Sequence, residues 1–150
     1  MLGSILVAVD GSSHSMKAVE IAAQIAAGCS AKLQIVTVIR EQDTPKLSPE
    51  LQSYAKLEHI GLADFGAAKL ISNDLLTHAK EVAEKAGAEN TSTEVITGPV
   101  ARTIVAYAKR KKADMIVVGS RGLGNVEATL RGGVSHRVEL LAECSVLTVK

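Results

Sequence analysis

The sequence predicts one doubly wound α/β domain over residues 1–150, with a five-stranded parallel sheet in the order 3-2-1-4-5 and helices on both faces. Three observations carry that expectation. Short apolar runs such as Ile5 to Val9 and Met115 to Val118 alternate with longer segments whose apolar residues recur at helical spacing. Those two runs stop abruptly on a polar or glycine-rich turn, as strands of an open parallel sheet do at their carboxyl ends. No repeat, linker or low-complexity segment interrupts the alternation, and 150 residues suffice to bury a core without disulfides or metal.

Ile5 to Val9 is continuously apolar, as a strand buried on both faces should be, and Asp10-Gly11-Ser12-Ser13 then turns polar ahead of a helix. From about Ser15 to Ala27, the residues Ala18, Val19, Ala22, Ile25 and Ala26 repeat at helical spacing, with Gly28 as the stop. Leu33 to Ile39 reads as the second strand, and a strand, helix, strand unit of this length closes as a right-handed crossover. Arg40 to Glu50 is polar and carries Pro45 and Pro49, an exposed connection. Ser48-Pro49-Glu50 combines the cap, the first-turn proline and the acid of a helix start. One helix from there to Ala86 would be roughly 55 Å long at about 1.5 Å per residue, more than a domain of this size spans, so a break is expected near Gly61 or Gly66. Its later part places Ala68, Ile71, Leu75, Ala79 and Val82 on a core face, with Gly87 as its stop.

Thr91 to Thr97 alternates with β-branched residues as a third strand, ended by Gly98-Pro99. Val100 to about Lys112 is a helix with Ile104, Val105 and Ala108 inward, and its terminal run Lys109 to Lys112 complements the helix dipole as a solvated end. After the fourth strand, Val134, Val138, Leu140 and Leu141 mark a last helix to about Glu143, and Ser145 to Val149 is the fifth strand.

Val118 and Gly119 end the fourth strand, and glycines recur at Gly122, Gly124, Gly132 and Gly133 before the last helix. Glycine lets the backbone approach an anion closely, while the N–H groups and positive dipole end of a following helix face negative charge. Gly132, Gly133 and Val134 would supply such N–H groups, Ser135 a hydroxyl, and Arg121 and Arg131 charge-assisted hydrogen bonds to phosphate oxygens. In the order 3-2-1-4-5 the first and fourth strands are neighbours, so Asp10 and Gly119 flank the crevice where strand order reverses. On position alone the same glycines also serve ordinary turns, and Asp10 an ordinary cap.

The spacing Gly119, two residues, Gly122, nine residues, Gly132 resembles the nucleotide-binding signature of the universal stress protein family. ILVAVDGS at Ile5 to Ser12, the following helix, TVI at Thr37 to Ile39 and the closing SVLTV fall in the family's order, so the resemblance covers essentially the whole chain. It departs at Gly133, where the family normally has serine or threonine, and at Ser145, where proline is common. The resemblance implies a stress-response protein that binds ATP or a related adenine nucleotide and acts as a nucleotide-responsive binding module. It implies Asp10 against the adenosine, Val38 against the adenine and Ala8 and Val9 shaping the same wall. Val118, Gly119, Arg121, Gly122, Gly132, Gly133, Val134 and Ser135 complete the binding set. It also implies a homodimer in which Ser145 to Val149 pairs antiparallel with its copy, and an unidentified downstream protein partner.

Other classes fare worse on the same residues. A net charge of +1, from 17 basic and 16 acidic residues, with no Trp, two Tyr and one Phe, argues against a nucleic-acid partner. No Walker string of glycine, four residues, glycine, lysine and serine or threonine occurs, and Gly122-Leu123-Gly124 is followed by Glu127 where a dinucleotide fingerprint needs glycine. A receiver domain would want aspartate closing the third strand, where this chain has Thr97-Gly98-Pro99. His14, His59, His78 and His136 are scattered without metal-ligand spacing, no nucleophile sits beside an evident base, and His136 reads as a surface residue, so no catalytic residue is assigned. Asp10 is compatible with Mg²⁺ held indirectly through phosphate oxygens. Cys29 and Cys144 read as buried or half-buried free thiols, and with no signal peptide or membrane-spanning run a cytoplasmic protein is expected. The alternatives are a slow ATPase or nucleotide-transfer enzyme, and a family member without nucleotide binding that works through protein contacts, which Gly133 keeps open.

Overall fold

A computed structural model of the chain describes residues 1–40, 60–121 and 133–150, with side chains of the middle helix described from residue 68 onward. The described elements are β1 (Ser4–Ala8), α1 (Ser13–Cys29), β2 (Lys32–Ile39), α2 (Ile60–Lys85), β3 (Thr91–Thr97), α3 (Val100–Lys111), β4 (Met115–Gly119), α4 (Gly133–Leu141) and β5 (Ser145–Val149). The five strands form one parallel sheet in the order β3-β2-β1-β4-β5, as the alternation of strands and helices leads one to expect. Register sets Ala8 beside Val36 and Val7 beside Val117, so β1 lies centrally with β2 and β4 on its flanks.

Side chains alternate across a strand, and here each parity meets its own helical layer. Ile5, Val7 and Val9 face Ala18, Val19, Ala22, Ala23 and Ala26 of α1 and Leu76, Ala79 and Ala83 of α2. Leu6, Ile116 and Val118 face Ala101, Ile104, Tyr107 and Ala108 of α3 and Val138 of α4. The stripe of alanines on α1 presents little bulk beyond the backbone, so that helix lies close against the sheet.

Three helices stop by one device. Ser30, Gly87 and Lys112 are left-handed, with φ of 54°, 103° and 54°. The next residue in each case, Ala31, Ala88 or Ala113, donates its N–H to the carbonyl of Ala26, Ala83 or Ala108 at 2.9, 3.1 and 2.9 Å. This is the Schellman arrangement, with an apolar residue docking just past the helix end. It explains why Gly28 does not stop α1, which runs on to Cys29. The stop falls where Ala31 can be buried.

Other expectations are corrected. No break occurs at Gly66, since α2 is continuous from Ile60 to Lys85; the helix start expected at Ser48 to Glu50, and the stretch just ahead of Ile60 where a break near Gly61 would fall, lie outside the described residues. Ile71 is 70% exposed, and the core face is Leu76, Ala79 and Ala83, with Leu75 and Val82 half-buried beside it. A helix of 26 residues is about 39 Å long against about 26 Å for the eight residues of β2, so its first half outruns the sheet. α4 ends at Leu141, short of Glu143, with Leu140 and Leu141 exposed and Val138 alone of its expected core residues fully buried. Cys29 is exposed because it sits in the last turn of α1 facing solvent; Cys144 is half-buried, and burial pushes its thiol above the ordinary range.

Candidate functional site

The carboxyl ends of β1 and β4 lie side by side at the centre of the sheet, where the order reverses between β1, which leads to α1 on one face, and β4, which leads toward α4 on the other. The turn after β1 is built by its own side chains. The Ser12 amide donates to Asp10 Oδ1 at 2.9 Å, the Asp10 amide donates to Ser15 Oγ at 3.3 Å, and Gly11 takes a φ of 86° that glycine adopts without strain. Ser12 caps α1, its Oγ accepting from the Ser15 amide at 3.3 Å. Asp10 is thereby placed at the mouth of the crevice, exposed.

The exit of β4 is held from two sides. The Ser120 amide donates to the Val149 carbonyl of β5 at 2.7 Å, while Ser12 Oγ donates to the Arg121 carbonyl at 3.2 Å and His14 Nδ1 lies 2.8 Å from Ser120 Oγ. Gly119 is what allows this. A Cβ there would come within 2.8 Å of the His14 carbonyl carbon and the Ser15 amide nitrogen, so only glycine lets the strand end approach the first turn of α1 so closely. The sequence reading gave Gly119 to the ligand; the structure gives it a packing reason.

The remaining expected site residues divide by position. Ala8 and Val38 are half-buried on the α3 and α4 side of the sheet, partly accessible at the carboxyl ends of adjacent strands. Val9, expected on the same wall as Ala8, has its side chain on the opposite face, 4% exposed in the core against α1, because adjacent strand residues point to opposite sides. Val118 is likewise buried, beneath the crevice. Gly133 and Val134 are the first described residues of α4; Gly133 is exposed, and Ser135, 5% exposed, offers little surface. Arg121 is exposed. Gly122, Gly124, Arg131 and Gly132 lie outside the described residues. His136 is exposed, as expected.

Neither α1 nor α4 carries an acid in its first described turn, and the carboxylate nearest the start of α1 is that of Asp10, on the Ser12 amide. Among the described residues no group of three His, Cys, Asp or Glu side chains converges to hold a metal. The pairing of His14 with Ser120 was not read from sequence; the signal for it was a histidine in the first turn after β1 and a hydroxyl just past the end of the neighbouring strand. Elsewhere, a cavity of about 330 Å³ lies between β3 and α3, lined by Glu94, Thr97, Thr103, Tyr107 and Arg110 among others. Tyr107 donates to Glu94 Oε2 at 2.5 Å under the Arg110 guanidinium, and burial above all pushes its phenol well above the usual range. That pair joins α3 to β3, the strand next to Val38, which is in register with Ile96 of the cavity wall.

The whole chain, residues 1–150, matches the universal stress protein family. It is 35% identical over 150 residues to universal stress protein YxiE of Bacillus subtilis (strain 168), covering all of both chains. Among solved structures it resembles a universal stress protein in complex with cAMP, at 28% identity and a TM-score of 0.70, over 99% of this chain and 97% of the other. It also resembles UspA from Lactobacillus plantarum, at 27% identity and a TM-score of 0.80, over 99% and 98%.

Proposed function

The chain belongs to the universal stress protein family, and on that premise we propose that it binds ATP or a related adenine nucleotide in the β1/β4 crevice and serves as a nucleotide-responsive binding module. The observation that carries this reading is the Ser12 to Arg121 hydrogen bond, which seats the Asp10 turn against the start of the Gly119, Gly122, Gly132 pattern at the switch point of the sheet. The cAMP complex of the structural relative supports an adenine ligand.

In this reading Asp10 meets the ribose side of the adenosine, and Ala8 and Val38 line the adenine. Gly122, Gly132, Gly133 and Val134 offer N–H groups to the phosphates, with Arg121 adding charge. Val9 and Val118 support the crevice from the core, and Ser135 closes it from beneath α4. One carboxylate, already engaged with the Ser12 amide, suits Mg²⁺ only as an outer partner of phosphate oxygens. We take the hydroxyl–imidazole pair of Ser120 and His14 as a structural tie and not a catalytic one, so any hydrolysis is slow and the nucleotide behaves as a ligand. The half-buried Val146, Leu147 and Thr148 of the outer strand β5 suit pairing with a second copy. The two free thiols suit a reducing cytoplasm.

The test is mass spectrometry of the small molecule released when the purified protein is denatured, followed by calorimetric titration with ATP and adenosine. An adenine nucleotide released, or ATP binding tighter than adenosine, is expected. A protein that releases none and binds neither overturns the reading in favour of a family member working through protein contacts alone.

A further inference from the structure

We infer that His14 is a positioning residue for the phosphate part of the ligand, acting through Ser120; this rests on the nucleotide reading of the crevice. His14 Nδ1 and Ser120 Oγ are 2.8 Å apart and partly buried, and they join segments 106 residues apart in sequence. The hydroxyl donates when Nδ1 is unprotonated and accepts when it bears hydrogen, so the pair is joined in either tautomer. Ser120 has its backbone tied to Val149 on the β5 side, and its side chain tied to α1. The next residue, Arg121, is held through its carbonyl by Ser12. These two residues are the last held ahead of Gly122 in sequence, the second glycine of the phosphate-type pattern.

The Asp10 turn, by contrast, has its own bonds to Ser12 and Ser15 and does not depend on His14. Loss of the His14 to Ser120 bond therefore acts on the phosphate side of the crevice and leaves the adenosine side in place. Gly119, whose missing Cβ leaves room for the first turn of α1 beside the strand end, sets the spacing that the bond spans.

The experiment compares His14→Ala, Ser120→Ala, the double variant and His14→Asn, whose amide oxygen or nitrogen falls near the place of Nδ1. Circular dichroism and adenosine affinity report that each variant is folded with the adenosine side intact. ATP affinity is expected to fall about three- to tenfold in either alanine variant, by the worth of one neutral hydrogen bond, and no further in the double variant. His14→Asn is expected to recover most of the loss, which a mere packing role for the ring would not allow. Unchanged ATP affinity in a folded His14→Ala, or additive losses, or no recovery by asparagine, overturns the positioning role and leaves the nucleotide reading standing. If the wild-type protein itself binds neither ATP nor adenosine, the nucleotide reading fails and the positioning role falls with it.

Discussion

β1 and β4 are tied together at both ends, by different chemistry. At the end away from the crevice, the Asp114 carboxylate accepts the amides of Gly3 and Ser4 at 2.8 and 3.0 Å, and its own amide donates to the Ser4 carbonyl at 2.8 Å. At the crevice end the ties are neutral, a serine hydroxyl on a carbonyl and an imidazole on a hydroxyl. A carboxylate clamped on two amides is a charge-assisted arrangement, rigid and anionic. The same device at the other end would set a second negative charge beside Asp10, where the proposed reading has the phosphates approach. The ties to the β4 exit add no carboxylate to that of Asp10, and the described first turns of α1 and α4 add none either.

The sharpest way to break the contrast is Gly119→Ala. The new methyl would meet backbone atoms at 2.8 Å, so the strand end or the first turn of α1 must shift. The expected outcome is a loss of about 1–3 kcal/mol in stability, read by denaturant unfolding, together with loss of ATP binding by tenfold or more. A variant that unfolds like the wild type and binds ATP normally would show that the close approach is dispensable.

Gly133→Ser sharpens the ligand end without disturbing the fold. Gly133 is not among the residues with positive φ, and a Cβ there would meet nothing within 4 Å, so the variant should fold normally. If the hydroxyl reaches a phosphate oxygen, ATP affinity rises roughly tenfold, equivalent to about 1.5 kcal/mol, while adenosine affinity is unchanged. Calorimetry showing equal gains for both ligands would place Gly133 away from the phosphates.

The smallest effect is expected at the far end, with Asp114→Asn. Its backbone hydrogen bonds hold the Asp114 carboxyl below the usual value of 3.8. A carboxyl depressed in the folded state contributes stability fully above its unfolded value, and that contribution is lost as pH falls through the folded one. Wild-type stability should therefore drop more steeply than that of the variant as pH falls below about 4, with ATP affinity at neutral pH the same in both. Acid unfolding curves of identical slope would remove Asp114 from the account.

The strand order was legible because each strand is short, apolar and bounded by turn residues, and because parallel crossovers leave few topologies. The side of the sheet on which Val9 falls was legible in principle, since it shares parity with Ile5 and Val7. What the sequence did not reveal depends on lengths and distances set by the fold. Helical periodicity places Ile71 on the face of Leu75 but cannot say that the sheet ends before reaching it. Gly119 shows as a strand end in sequence, while its need to be glycine comes from α1, more than a hundred residues earlier. The His14 and Ser120 pair is hidden for the same reason.

The repeated stop of α1, α2 and α3 bears on how much thermal stability the chain could still gain. Each ends on an alanine that docks behind a left-handed residue, yet only α2 uses glycine at the left-handed position. Ser30 and Lys112 hold side chains in a conformation about 1 kcal/mol less favourable for them than for glycine. The fold tolerates this because Ala31, buried, and Ala113, half-buried, pack against the core just past each helix end, whichever residue precedes them. A heat-adapted relative would have two places to gain melting temperature, both at the helix ends opposite the crevice.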